Sequence, residues 1–277
     1  MPRGRFDDKA VLVTGAGSGI GRETALAFAA RGAKLFLCDV DEVGLEQSAQ
    51  AALRSGGVVR TFVVDVSKRA KMAAFADAVH EEVEAIDVLV NNAGVGLGGG
   101  FLDTSLDDWE WLIAINQWGV IHGCHFFLPR MVERKRGGHV VNVASAAGLL
   151  ATAELAAYST TKYAVVGLGE ALREELREHR IFVSTICPGA INTPITRTAR
   201  LRGTDIPSRE RLVALYQFRN YGPEKVAAAI VDAVLRNRGL VPVTPEAWAV
   251  YALKRAFPET TSRIAGLIAE RGKQKGH

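Results

Sequence analysis

Cysteine is scarce in this chain: Cys38, Cys124 and Cys187 are an odd three among 277 residues. They lie far apart in apolar stretches, which excludes a disulfide framework and predicts buried thiols. Histidine is sparse too. His122 and His125 stand three residues apart, but Val120 to Phe126 reads as a buried helix with no carboxylate close in sequence, so no metal site is expected. Long apolar runs are also missing, and nothing reaches the length that spans a bilayer. Met1 to Asp8 carries no apolar segment behind its basic residues, so it does not read as a secretory leader and the cytoplasm is the expected compartment. The net charge is +4. Its basic residues are scattered, with small groups at 134–136, 197–202 and 271–275. In the absence of an aromatic-interleaved basic stripe, nucleic acid is not an expected partner.

What the chain has is aliphatic residues in an alternating pattern. A hydrophobic share of 48% against 23% charged suits a globular fold with a sizeable core. Short apolar runs at 10–14, 34–38, 58–65, 88–91, 140–143 and 182–186 predict strands. Amphipathic stretches between them predict helices, the first over 21–30. Strands so uniformly apolar belong to a parallel sheet covered on both faces. The expected fold class is α/β, a single-domain doubly wound parallel sheet (a Rossmann fold) spanning 1–277 with helices on both faces. Ser105 followed by Asp108 resembles a capping box opening a long helix towards Met131. Residues 190–222 have no clean period and carry Arg197, Arg200, Arg202, Arg209 and Arg211. A stretch of that length is expected to cover a substrate. Its arginines read as solubility, with an anionic substrate as the alternative. Residues 242–277, with Trp248, Tyr251, Leu253 and Phe257, read as a helical extension that closes a pocket or an oligomer contact in preference to lying on a membrane.

The densest signal is Thr14-Gly15-Ala16-Gly17-Ser18-Gly19-Ile20-Gly21, placed after the first strand and at the mouth of the first helix. Glycines there allow a tight turn and let backbone amides approach a pyrophosphate. Asp39 ends the second strand, where a carboxylate can accept from ribose hydroxyls. It would repel a 2′-phosphate by roughly 4 kcal/mol at ~4 Å and an effective dielectric near 20. Ser18 and Val40 bring no compensating charge, so NAD is favoured over NADP, with Arg22 the nearby cation that could screen Asp39. Further on, Tyr158 and Lys162 stand one helical turn apart. A cation beside a phenol favours the phenolate.

With Asp65-Val66, Asn91-Asn92-Ala93-Gly94, Asn116, Ser145 and Pro188-Gly189 followed by Thr193, these motifs make the chain resemble the short-chain dehydrogenase/reductase family. The likeness runs over nearly all of residues 6–195 with the motifs in the family's order. One departure is Ser159-Thr160-Thr161, where the family more often has Ala-Ser before the lysine. The resemblance implies that Gly15, Ser18, Gly19, Ile20, Gly21 and Asp39 hold the dinucleotide. It assigns Asp65 and Val66 to the adenine, and Asn91, Asn92, Ala93 and Gly94 to supporting cofactor and sheet. Pro188 and Gly189 shape the turn beneath the nicotinamide, and Thr193 holds its carboxamide. Ser145 binds the substrate oxygen, Tyr158 is general acid/base, Lys162 binds the nicotinamide ribose and tunes Tyr158, and Asn116 positions a relay water. A homodimer or homotetramer is also implied. Candidate lining residues, among them Leu150 and Leu155, are mostly apolar, which suits a lipophilic secondary alcohol or ketone. The alternatives are an NADP-dependent carbonyl reductase and a non-catalytic dinucleotide-binding regulator.

Overall fold

The computed structural model describes residues 6–55, 57–203 and 209–261. Residues 1–5, the 204–208 part of the expected covering segment and the 262–277 part of the expected extension lie outside the described residues. Along β1 (Ala10–Thr14), Ala10 and Leu12 enter one apolar cluster while Val11 and Val13 enter another. β2 (Lys34–Asp39) repeats this, with Phe36 and Cys38 on the first face and Leu35 and Leu37 on the second. Period-two alternation in which both faces are apolar requires helices on both sides. Each fully buried Val, Leu or Phe contributes roughly 1.5–3 kcal/mol of transfer free energy.

The helices that cover these faces are α1 (Gly19–Ala29), α2 (Glu42–Arg54) and α3 (Arg69–Glu82). β3 (Val58–Val63) and β4 (Val88–Asn91) precede a two-residue strand, β5 (Leu97–Gly98). α4 (Leu106–Ile113) then runs through one π-helical turn, Ala114–Trp118, into α5 (Gly119–Glu133). After β6 (Gly138–Val143) come a 3₁₀ turn (Ala146–Gly148), α6 (Ala156–Glu175) and β7 (Ile181–Cys187). The remainder is α7 (Ile195–Thr198), β8 (Arg200–Leu201), α8 (Arg209–Arg219), α9 (Pro223–Arg236), β9 (Leu240–Pro242) and α10 (Pro245–Ala256). Seven strands form one parallel sheet in the order β3-β2-β1-β4-β6-β7-β9, and β5 pairs with β8 in a small second sheet. This is the doubly wound fold the sequence predicts.

Three details differ from the sequence expectations. β3 is an edge strand with Val58 and Val63 59% and 55% exposed, so it is not covered on both faces. It stops at Val63, leaving Asp65 in the following turn. The long helix after Ser105 is two helices joined by the π turn, although Ser105 Oγ does cap it by accepting from Asp108 N at 3.2 Å. The 190–222 stretch holds α7, β8 and α8. Cys38, Cys124 and Cys187 are free and buried. Among the described residues, no helix is long and apolar enough to cross a membrane.

Candidate active site

The strand order reverses direction between β1 and β4, and a crevice opens at the carboxyl ends of strands at such a switch point. The glycine turn lines it. Gly15 and Gly19 hold φ of +65° and +52°, and a β-carbon on Gly21 would overlap the Gly15 carbonyl and Asn92 Nδ2. Asn92 ties the turn to β1, donating through Nδ2 to Thr14 O at 2.9 Å and Gly15 O at 3.1 Å. Thr14 Oγ1 accepts in return from the backbone of Asn92 and Ala93, both at 3.0 Å. Ser18 is the exposed N-cap of α1 and its side chain makes no capping bond. The α1 amides therefore face the crevice, where an anion is favoured. Gly21→Ala is expected to weaken NADH binding by about a hundredfold, because the overlap is with backbone. A fluorescence titration showing parental affinity would contradict this.

Asp39 sits beside that turn. Its Oδ2 accepts from Gly17 N at 2.7 Å and its Oδ1 from Asp41 N at 3.0 Å. A carboxylate has about four acceptor positions, so capacity for ribose hydroxyls is left over. Arg22 is engaged on neighbouring acceptors: Nη2 donates to Gly17 O at 2.6 Å and Gly44 O at 3.2 Å, and Nε to Ser48 Oγ at 2.9 Å. Asp65 braces its own turn, accepting at Oδ1 from Ser67 N and Oγ at 2.9 and 2.7 Å. Val66 is buried, and its carbonyl lies 2.8 Å from His122 Nδ1. Ile20 packs partly buried against the second core cluster. Thr193 reaches across the crevice to Gly19, where a β-carbon would stand 3.3 Å from Thr193 Cβ. The residues present thus fit a dinucleotide along the α1 mouth.

On the other side of β4 lie the chemistry-bearing groups. Lys162 is buried, and its Nζ donates to Val143 O at 3.1 Å while lying 5.7 Å from the centre of the Tyr158 ring. Tyr158 is half-buried and packs against Leu97, Leu112 and Ala157. Asn116, in the π turn, is fully buried. Its Oδ1 accepts from Val95 N at 2.8 Å, and its Nδ2 donates to Val95 O at 2.9 Å and Thr161 Oγ1 at 3.3 Å. π turns concentrate at functional sites. A β-carbon on Gly94 would stand 3.2 Å from Asn116 Oδ1 and 3.5 Å from Lys162 Nζ, so these three groups converge. Ser145 follows β6 and its Oγ accepts from Ala147 N at 3.1 Å. That is a local cap, and its hydroxyl proton can still be donated.

Burial pushes the Lys162 ammonium down from 10.5 to about 8. The folded value lies below the unfolded one, so between them the unfolded chain binds more protons and stability rises with pH. Below about 8 the folded chain carries the full cost of a desolvated ammonium. The stability of Lys162→Met relative to the parent is therefore expected to be greatest near neutral pH and to decline by about pH 10. Thermal melts at both pH values check this; a pH-independent margin would contradict it.

The walls come from segments far apart in sequence. Gly99 bridges Leu155 and Gly99 N donates to Glu154 O at 2.8 Å. A β-carbon on Gly96 would meet Ile195 Cγ1 at 3.5 Å. Leu150 ends the turn after Ser145, its N–H bonded to Ala146 O at 3.1 Å. Pro188 O accepts from Ala146 N at 2.7 Å.

Sequence reasoning missed three supports. Glu246 of α10 accepts from Ala190 N at 3.2 Å and pairs with Arg219 at 2.6 Å, seating the 188–190 turn. Thr161, within the departure from the family pattern, is a partner of Asn116. Arg200 and Arg202 pair with Asp108 from 92 and 94 residues away, a contact with no local signal.

Residues 9–202 match the family model for short chain dehydrogenases. EphD of Mycobacterium tuberculosis, a probable oxidoreductase, is 43% identical over 272 residues covering 96% of this chain and 46% of EphD. The chain therefore spans about half the length of that relative. Estradiol 17-beta-dehydrogenase 11 of Rattus norvegicus is 35% identical over 253 residues, 90% of this chain and 80% of that protein. A short chain dehydrogenase/reductase from Burkholderia phymatum, crystallised in complex with NAD, superposes with a TM-score of 0.82 at 35% identity, covering 93% of this chain and 96% of that one. With the parallel sheet, the glycine turn and the Tyr158–Lys162 helix in place, the chain belongs to the short-chain dehydrogenase/reductase family.

Proposed function

We propose that this chain is an NAD-dependent oxidoreductase that interconverts a lipophilic secondary alcohol and its ketone. The observation that carries the reading is the buried Lys162 ammonium, 5.7 Å from the Tyr158 ring and beside Asn116, at the crevice that the glycine turn lines. Gly15, Ser18, Gly19, Ile20 and Gly21 would hold the pyrophosphate, Asp39 the adenosine ribose, and Asp65 with Val66 the adenine edge. Asn92, Ala93 and Gly94 would floor the site, and Pro188, Gly189 and Thr193 would flank the nicotinamide. When bound, that ring supplies the hydride acceptor or donor. In the oxidising direction Ser145 holds the substrate hydroxyl and Tyr158 Oη takes its proton. The carbonyl then forms as the C–H electron pair departs. Lys162 favours the phenolate and Asn116 holds a water for proton exchange with solvent.

The bonding of Arg22 to Gly17 O, Gly44 O and Ser48 supports NAD over NADP, because its Nη2 and Nε are already used on protein acceptors. The apolar walls support a lipophilic substrate, as does a steroid dehydrogenase among the relatives. Residues 190–222 would cover that substrate and the chain would work as a homodimer or homotetramer. An apolar groove between α5 and α6, lined by Ile121, Leu128, Val132, Leu168 and Leu172, offers a surface for self-association. A panel of neutral secondary alcohols with NAD, read by reduced-nicotinamide absorbance, should give turnover. Binding of NADH without turnover of any alcohol or ketone would favour a non-catalytic regulator.

A further inference from the structure

Asp108 lies in the first turn of α4 and is 3% exposed. Its carboxylate is shared by Arg200 of β8 and Arg202, the residue after that strand. Arg200 Nη1 is 2.9 Å from Oδ1, while Arg202 places Nε 2.6 Å from Oδ2 and Nη2 3.0 Å from Oδ1. The Arg202 contact is a two-pronged fork, the geometry in which guanidinium binds carboxylate best. Arg200 also lies 3.7 Å from the centre of the Trp111 ring. Trp111 and Tyr158 pack against the same small cluster of Leu97, Leu112 and Ala157. Backbone pairing fixes the arrangement: Arg200 N donates to Gly96 O at 3.0 Å, Arg202 N to Gly98 O at 2.8 Å, and Arg200 stands opposite Leu97. Arg200 therefore stands one aromatic ring away from the Tyr158 cluster, with Arg202 two residues further along the same backbone, beside the wall that β5 and β8 form.

Left uncompensated, that pair would be a ready receptor for a substrate carboxylate. We propose that Asp108 is a positioning and specificity-determining residue. It seats residues 195–202 against β5, and by filling the Arg202 fork and holding Arg200 it keeps this wall from accepting anionic substrates. The inference rests on the reading of the Tyr158 crevice as the substrate site. It goes further in giving Arg200 and Arg202 of the covering segment an internal partner and a selective role, in place of a merely solvated one. An asparagine at 108 could still accept one N–H bond but would leave both cations without a counter-charge and open the Arg202 fork, so the wall would become anion-accepting.

Calorimetric titration with octanoate and with octan-1-ol reads this without turnover, so it separates the inference from the proposed chemistry. Asp108→Asn is expected to raise octanoate affinity relative to octanol by about tenfold. Asp108→Glu, which keeps the charge, should hold the parental preference. Arg202→Gln leaves Arg200 and Asp108 as a neutral pair with no surplus cation and should shift preference towards octanol. A folded Asp108→Asn protein with parental preference would overturn the proposal. If Asp108→Asn does not fold, an unchanged preference in Arg202→Gln would overturn it instead. Should the shift appear in a chain that oxidises no alcohol, the wall assignment stands and the hydride-transfer reading falls.

Discussion

Tyr158→Phe is expected to lower kcat for alcohol oxidation by about a thousandfold while leaving NADH affinity within about twofold, since one positioned acid/base contributes roughly 10²–10⁴. The substitution removes a single oxygen. The ring keeps its packing against Leu97, Leu112 and Ala157, and Lys162 keeps its bond to Val143 O. A loss confined to kcat with binding retained is the signature of a group used only in the transition state. Steady-state kinetics and a fluorescence titration on the same preparation separate the two effects. Full activity in the variant would refute the proposed chemistry.

The second large effect concerns cofactor choice. In the parent, NADH is expected to bind more tightly than NADPH by up to about three decades, from roughly 4 kcal/mol of repulsion between Asp39 and a 2′-phosphate. Asp39→Ala should erase most of that difference. It should also cost NADH some affinity, because the Asp39 carboxylate braces the glycine turn through Gly17 N and the next turn through Asp41 N. The expected pattern is thus a gain for NADPH with a smaller loss for NADH, read by nicotinamide fluorescence. Tighter NADPH binding by the parent chain would sink the NAD assignment.

The central strands were legible because both of their faces are apolar: Ala10–Thr14 and Val88–Asn91 occur at the residues their hydrophobic runs predict. β3 was legible as a strand but not as an edge, since exposure of Val58 and Val63 depends on what lies beside them. The glycine turn and the Tyr158–Lys162 pair were legible because their chemistry is local: one turn, one helix face. The supports were not. Asp108 reads as a helix cap, and its partners lie 92 and 94 residues away. Glu246 reads as an ordinary acidic first turn, and only the β7–β9 pairing brings α10 up to the 188–190 turn. β5 and β8 are two residues each, too short to leave a period. Long-range pairing, not local propensity, decides all three.

Hydride transfer from carbon is the reaction that Ser145, Tyr158 and Lys162 would serve together, and isotope labelling reads it directly. A neutral secondary alcohol carrying deuterium on its carbinol carbon should be incubated with the chain and NAD, and the reduced nicotinamide analysed by mass spectrometry. Reduced nicotinamide carrying one deuterium, formed by the parent chain and nearly absent with Tyr158→Phe, is the predicted result. Reduced nicotinamide without the label, or none at all from a chain that binds NADH, would contradict it.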